Sequence, residues 1–66
     1  MSKFHERLRE ALKTANLSQC EVARRLNIAQ SSVWEWLHTT YPSLERFQQL
    51  CDMLNANPAY LLGLVD

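Results

Sequence analysis

Residues 18–36 read SQCEVARRLNIAQSSVWEW, and this stretch decides the fold. Ser18 and Glu21 have the S-x-x-E spacing of a capping box, in which each side chain satisfies a free backbone amide of the other residue. A helix is therefore predicted to begin at about residue 19. The apolar residues expected to face inward on this helix are Val22, Ala23 and Leu26.

A further helix is predicted from about Gln30, because apolar residues recur on one of its faces. Only residues 27–29 separate the two helices. Asn27 is expected to make the turn, since asparagine tolerates the left-handed conformation that ends helices. Ile28 is expected to be an apolar plug in that turn. The inward face of the later helix is predicted to hold Val33, Trp36 and Leu37.

The rest of the chain is also predicted to be helical. A first helix of about residues 3–15 is broken at Asn16 and Leu17, and a fourth follows the TTYPS turn with Ser43 as its cap. A short fifth helix is expected to begin at Pro58. No stretch alternates with a period of two, so we predict an all-α, five-helix domain. The predicted apolar stripes are Phe4, Leu8, Ala11, Leu12 and Ala15 on the first helix and Leu44, Phe47, Leu50, Cys51 and Leu54 on the fourth.

Length and composition restrict the class of protein. The 66 residues are 47% apolar, which fits one small globular domain spanning residues 1–66. No apolar run approaches the ~18 residues of a membrane span, and MSKFHERLRE is too polar for a signal peptide. Two cysteines make no disulfide framework, so we expect a reducing cytoplasm. Cys51 is predicted to be buried and Cys20 to be more exposed.

The formal net charge of zero hides an uneven distribution. Residues 1–30 carry six basic residues against three acidic ones, a net +3, whereas residues 31–66 carry one against four, a net −3. Such asymmetry can mark a nucleic-acid-binding face. The alternative is a chance division of solvated charges.

No catalytic or metal-binding pattern is present in the sequence. His5 and His38 lie on separate elements, without a cysteine or carboxylate at zinc-ligand spacing. The chain has neither a glycine-rich phosphate loop nor a G-x-S-x-G motif. We therefore expect no enzyme activity, no cofactor, no metal and no small-molecule substrate.

The short turn between two helices is the geometry of a helix-turn-helix, predicted at about residues 19–37. The segments LSQCEVARRLNIAQSSV and PSLERFQQLCDMLNANPAYLL resemble the lambdoid phage repressor and Cro DNA-binding domains, also called the XRE family. The resemblance covers about residues 4–62. It implies a compact lambda-repressor-like domain and a sequence-specific transcriptional regulator, such as a phage or bacterial repressor or Cro-like protein, on a palindromic operator in double-stranded DNA.

The resemblance also implies which residues contact DNA. Gln30 matches a glutamine that makes a bidentate contact to adenine, and an amide fits adenine N6 and N7. Gln19 matches one that binds phosphate and braces Gln30. Ser31 and Ser32 match small polar residues that read base edges or approach the backbone. The alternative is that both glutamines are merely exposed polar residues at helix starts.

One departure from the family pattern concerns the basic residues. The stretch HTTY after the third helix lacks the lysine or arginine that often binds phosphate there. This stretch can donate hydrogen bonds but brings little charge, through Thr39, Thr40, Tyr41 and His38. Better phosphate candidates are Arg24, Arg25 and Lys3, for which the alternative is a solvated basic face.

Trp34 and Trp36 must point about 200° apart on a helix, because each residue turns the helix by about 100°. Trp36 is predicted to be in the core. Trp34 would lie on the groove side with Gln30 and Ser31, packing against thymine methyls or sugar edges. The alternatives are packing against the TTYP turn or insertion into a pocket of a protein partner.

The C-terminal segment is unusually apolar for a short helix. We expect part of it to form a self-complementary homodimer patch, the alternative being that these residues close the core. The net charge of zero, the outward Trp34 and this apolar segment also favour an alternative function, a protein-binding module on the same fold that acts as an antitoxin or antirepressor. The residues concerned are Tyr60, Leu61, Leu62, Leu64 and Val65.

Overall fold

The computed structural model of the chain describes residues 3–66, which form five helices and no strand. This confirms the predicted all-α, five-helix class. The second and third helices are joined by residues 27–29 and form the helix-turn-helix. The helices are α1 Phe4–Thr14, α2 Gln19–Leu26, α3 Gln30–His38, α4 Leu44–Leu54 and α5 Pro58–Leu61.

Polar side chains cap the starts of three helices. The Ser18 hydroxyl accepts the Glu21 amide at 3.1 Å before α2, and the Ser43 hydroxyl accepts the Arg46 amide at 3.3 Å before α4. Asn57 caps α5 through the Ala59 amide at 3.0 Å, with Pro58 at the first helical position. These side chains satisfy amides that have no partner within the helix, so each start is fixed locally.

Asparagines make the turns at three helix ends. Asn27 and Asn55 adopt the left-handed conformation directly after α2 and α4, with φ of 57° and 52°. Asn16 does so between α1 and α2, with φ of 59°. The predicted role of Asn27 is confirmed. Asparagine suits these positions because its short polar side chain tolerates positive φ.

The core lies where all five helices meet. The prediction that Leu44 and Ala15 belong to inward-facing apolar stripes is wrong. Leu44 is 82% exposed, and Ala15 is also exposed. Leu44 is the first residue of α4, and a helical side chain leans toward the N-terminus, so it overhangs the helix start. Ala15 follows the last residue of α1. The buried residues are Phe4, Leu8, Leu12, Val22, Ala23, Val33, Trp36, Leu37, Phe47, Leu50, Cys51 and Leu61.

The turn between α2 and α3 is held by backbone bonds and a small residue. The Ile28 amide donates to the Ala23 carbonyl at 3.0 Å, and the Asn27 amide to the Arg24 carbonyl at 3.3 Å. Ala23 is buried, and Ile28 packs half-buried against the core. α3 is thereby fixed against α2 with its opposite face uncovered.

Candidate nucleic-acid interface

Helix α3 has one buried and one exposed face. Val33, Trp36 and Leu37 are buried, whereas Gln30 and Ser31 are exposed. The two tryptophans divide as predicted, since Trp36 is 9% exposed and Trp34 47%. The outer face of α3 therefore presents an amide, a hydroxyl and an indole along one side of a helix.

Within residues 3–66, the first backbone amides of α3 have no hydrogen-bond partner. Ala29 supplies no side-chain cap, and the first backbone bond at this end runs from the Ser32 amide to the Ala29 carbonyl at 3.1 Å. Amides at a helix N-terminus suit an anionic ligand. Gln19 is half-buried at the start of α2, and within residues 3–66 no hydrogen bond joins its side chain to Gln30. The bracing of Gln30 stays a prediction.

Trp34 is stacked on His38, one turn later on the same helix. Their ring centroids are 4.4 Å apart, and the interplanar angle is 27°. His38 Nδ1 lies 2.9 Å from the Trp34 carbonyl oxygen, and a hydrogen bond between them requires the tautomer with the hydrogen on Nδ1. Sequence reasoning missed this pair, although its i, i+4 spacing was the signal. Among residues 3–66, Tyr41 of the TTYP turn stacks on His5 and not on Trp34.

One match with known proteins decides the family. The model of the Cro/C1-type HTH DNA-binding domain matches residues 7–66. The chain belongs to this family. No curated protein and no solved structure shows a significant match. The helix-turn-helix described above is thus that of a DNA-binding domain, and the family is one of regulators.

The arginines on α2 of this Cro/C1-type domain share one carboxylate. Arg24 donates to Glu21 at 2.7 Å, and Arg25 lies 3.8 Å from the same side chain. The predicted reciprocal half of the capping box is therefore wrong, because the Glu21 carboxylate faces these arginines. Both arginine side chains are more than half exposed. Exposed ion pairs contribute little free energy, so both guanidinium groups can still reach a phosphate.

The other residues predicted to contact the DNA backbone are either uncharged hydrogen-bond donors or lie apart from α2. Ser32 is half-buried beside Gln30, and Thr39 is exposed at the end of α3. The Thr39 hydroxyl donates to the Glu35 carbonyl at 3.4 Å. Lys3 is exposed just before α1 and lies close to Gly63. No hydrogen bond connects these side chains to one another among residues 3–66.

Arg7 shows that part of the basic first half serves the fold. Its side chain is only 12% exposed, and Nη1 donates to the carbonyls of Tyr60 and Val65, both at 2.6 Å. The guanidinium also lies 4.2 Å from the Tyr60 ring centroid and 3.9 Å from Asp66. The C-terminal segment is thereby attached to α1, and Arg7 is not part of the α3 surface.

The C-terminal apolar residues separate into a buried and an exposed group. Leu61 is fully buried and closes the core. The others, which we call the C-terminal patch, are exposed to between 36% and 73%. Closing the core therefore accounts for one of the five residues. The C-terminal patch comprises Tyr60, Leu62, Leu64 and Val65.

The two cysteines differ as predicted. Cys20 is exposed on α2, and Cys51 is a buried free thiol on α4. Burial raises the pKa of the Cys51 thiol, and the neighbouring Asp52 carboxylate raises it further. Within residues 3–66 no cluster of histidine, cysteine and acidic side chains is arranged to hold a metal ion, and no helix has the length and apolarity needed to cross a membrane.

Proposed function

We propose that this domain is a sequence-specific transcriptional regulator that places α3 in the major groove. In this proposal Gln30 reads adenine through N6 and N7, Ser31 contacts a neighbouring base edge, and Trp34 packs against a thymine methyl or a sugar. The exposed face of α3 carries the proposal, because it presents groups able to bond bases while its other face is buried.

Backbone contacts would come from the residues around this face. Arg24 and Arg25 would bind phosphates as the charged contacts, and Gln19 would bind one at the start of α2. Neutral contacts from Ser32 and Thr39 would add hydrogen bonds, and Lys3 would reach the flanking backbone. Gln19, Ser32 and Thr39 bring no charge, so base contacts would supply much of the preference for an operator.

We further propose that the regulator binds a palindromic operator as a homodimer in the cytoplasm, in the manner of a phage or bacterial repressor or a Cro-like protein. One helix reads only a few base pairs, and two are usually placed about one DNA turn apart. The C-terminal patch supports a self-association surface, because monomeric proteins rarely leave several large apolar residues exposed together.

The test is selection of duplexes from a random pool, followed by affinity measurements at several salt concentrations. The affinity for a selected operator should exceed the affinity for mixed DNA by about 10³-fold or more. Both affinities should fall as the salt concentration rises. Absence of any DNA affinity at low salt would overturn this function. It would favour the other candidate, an antitoxin or antirepressor that uses the C-terminal patch to bind a protein.

A further inference from the structure

The last turn of α3 is held by two side chains from α1. The carbonyls at a helix C-terminus have no partner within the helix. His5 Nδ1 lies 2.8 Å from the Trp36 carbonyl oxygen, and Arg9 Nη1 donates to the Leu37 carbonyl at 2.6 Å. Because a carbonyl oxygen only accepts, this hydrogen bond requires the tautomer with the hydrogen on His5 Nδ1. Two otherwise unpaired carbonyls of α3 are thus satisfied from a different helix.

The remaining bonds at this end of α3 are local. The Glu35 carbonyl accepts the amides of Thr39 and Thr40 at 2.7 and 2.8 Å. Such bonds close the helix end on itself and fix nothing about its direction. Among the side-chain bonds of residues 3–66, those of His5 and Arg9 join the end of α3 to α1.

The His5 ring is itself held in place by aromatic contacts. Tyr41 stacks on it, with centroids 4.8 Å apart and an interplanar angle of 30°. Phe4 meets it edge-on at 5.5 Å and 72°, and Phe4 is buried in the core. A ring fixed on two sides directs its N–H group more closely than a free side chain would.

We propose that His5 and Arg9 are positioning residues that set the direction of α3 relative to α1. They would do so without touching DNA, by holding the helix that carries Gln30 and Trp34. This inference rests on the proposed function of α3. Base contacts carry the sequence information, whereas phosphate contacts carry none directly. Loss of the anchor should therefore reduce discrimination between sequences more than it reduces affinity for DNA in general.

The experiment measures affinity for a selected operator and for mixed-sequence duplex, using the full chain. His5→Phe keeps an aromatic ring and removes the donor, whereas His5→Gln keeps a donor. Arg9→Met removes the other donor, and Lys13→Met is the control, removing the same charge from an exposed position of α1. The ratio of the two affinities is the readout, because partial unfolding lowers both in the same proportion.

His5→Phe and Arg9→Met should each lower the ratio by about fivefold, the effect of one hydrogen bond. His5→Gln should retain most of the wild-type ratio, and Lys13→Met should retain all of it. An unchanged ratio in both donor-free variants would overturn the inference and leave the proposed function intact. Wild-type protein that binds no DNA would overturn the proposed function and the inference with it.

A measurement on the free protein checks the anchor independently of DNA. The ring nitrogens of His5 should show the Nδ1–H tautomer in a long-range proton–nitrogen NMR spectrum, since this form donates to the Trp36 carbonyl. A neutral ring with the proton on Nε2 would show that the hydrogen bond is absent, and the positioning role of His5 would be wrong.

Discussion

The two tryptophans of α3 provide a matched pair for separating stability from DNA binding. Trp34 is 47% exposed and stacked on His38, so Trp34→Ala loses about half of an aromatic side chain's burial and one exposed stack. This amounts to about 1–2 kcal/mol of unfolding free energy. Trp36 is 9% exposed, and Trp36→Ala should cost about 3–5 kcal/mol.

The two losses of unfolding free energy have different consequences, because the total stability of such a small domain is low. A 66-residue chain has a total stability of roughly 3–10 kcal/mol, so Trp36→Ala removes much of it. Trp34→Ala should lower Tm by about 4–16 °C and leave a folded protein at room temperature. Thermal melting followed by circular dichroism measures both variants.

Binding to the selected operator then tests what the Trp34 side chain does. Trp34→Ala should weaken binding by about fivefold or more if the indole packs on a thymine methyl, and Trp34→Phe should retain part of the affinity. The reasoning fails if Trp34→Ala destabilises the fold as much as Trp36→Ala. It also fails if the folded variant binds the operator with unchanged affinity.

Four further outcomes are expected. Gln30→Ala should cost about 1–3 kcal/mol at one base pair per half-site, measured with single-base operator variants; equal weakening on all variants would make Gln30 a backbone contact. Arg24→Ala should weaken all DNA alike and lower the salt slope by about one, and an unchanged slope would exclude a phosphate contact. A thiol reagent should modify Cys20 before Cys51 at neutral pH, because burial raises the pKa of the Cys51 thiol and keeps it protonated; equal rates would contradict the burial. Leu64→Asp should shift sedimentation of the operator complex toward a monomer, and an unchanged dimer would place the interface elsewhere.

Local signals explain why much of the fold could be predicted from the sequence. Ser18, Ser43 and Asn57 cap their own helices, and Asn27 makes its turn through its own backbone. Each of these depends on residues within a few positions of one another. The division of the tryptophans follows equally from the helical period, which a sequence displays directly.

The sequence-based predictions are wrong or incomplete where a side chain's position depends on residues distant in sequence or on competing partners. Glu21 has a capping position open to it, but the arginines on the next turn attract its carboxylate instead. Leu44 fits an apolar stripe, yet at the first position of α4 its side chain is 82% exposed. The bond from His5 to the end of α3 joins residues 31 positions apart and leaves no pattern in the sequence.

The central claim is that the outer face of α3 meets DNA, and NMR amide shifts test it most directly. A nitrogen-15-labelled sample would be titrated with the selected operator duplex and, separately, with mixed DNA. We predict that the largest operator-specific shifts fall on residues 30–38 and at the start of α2. Specific shifts confined to α4 and the C-terminal segment, with α3 unchanged, would contradict the account.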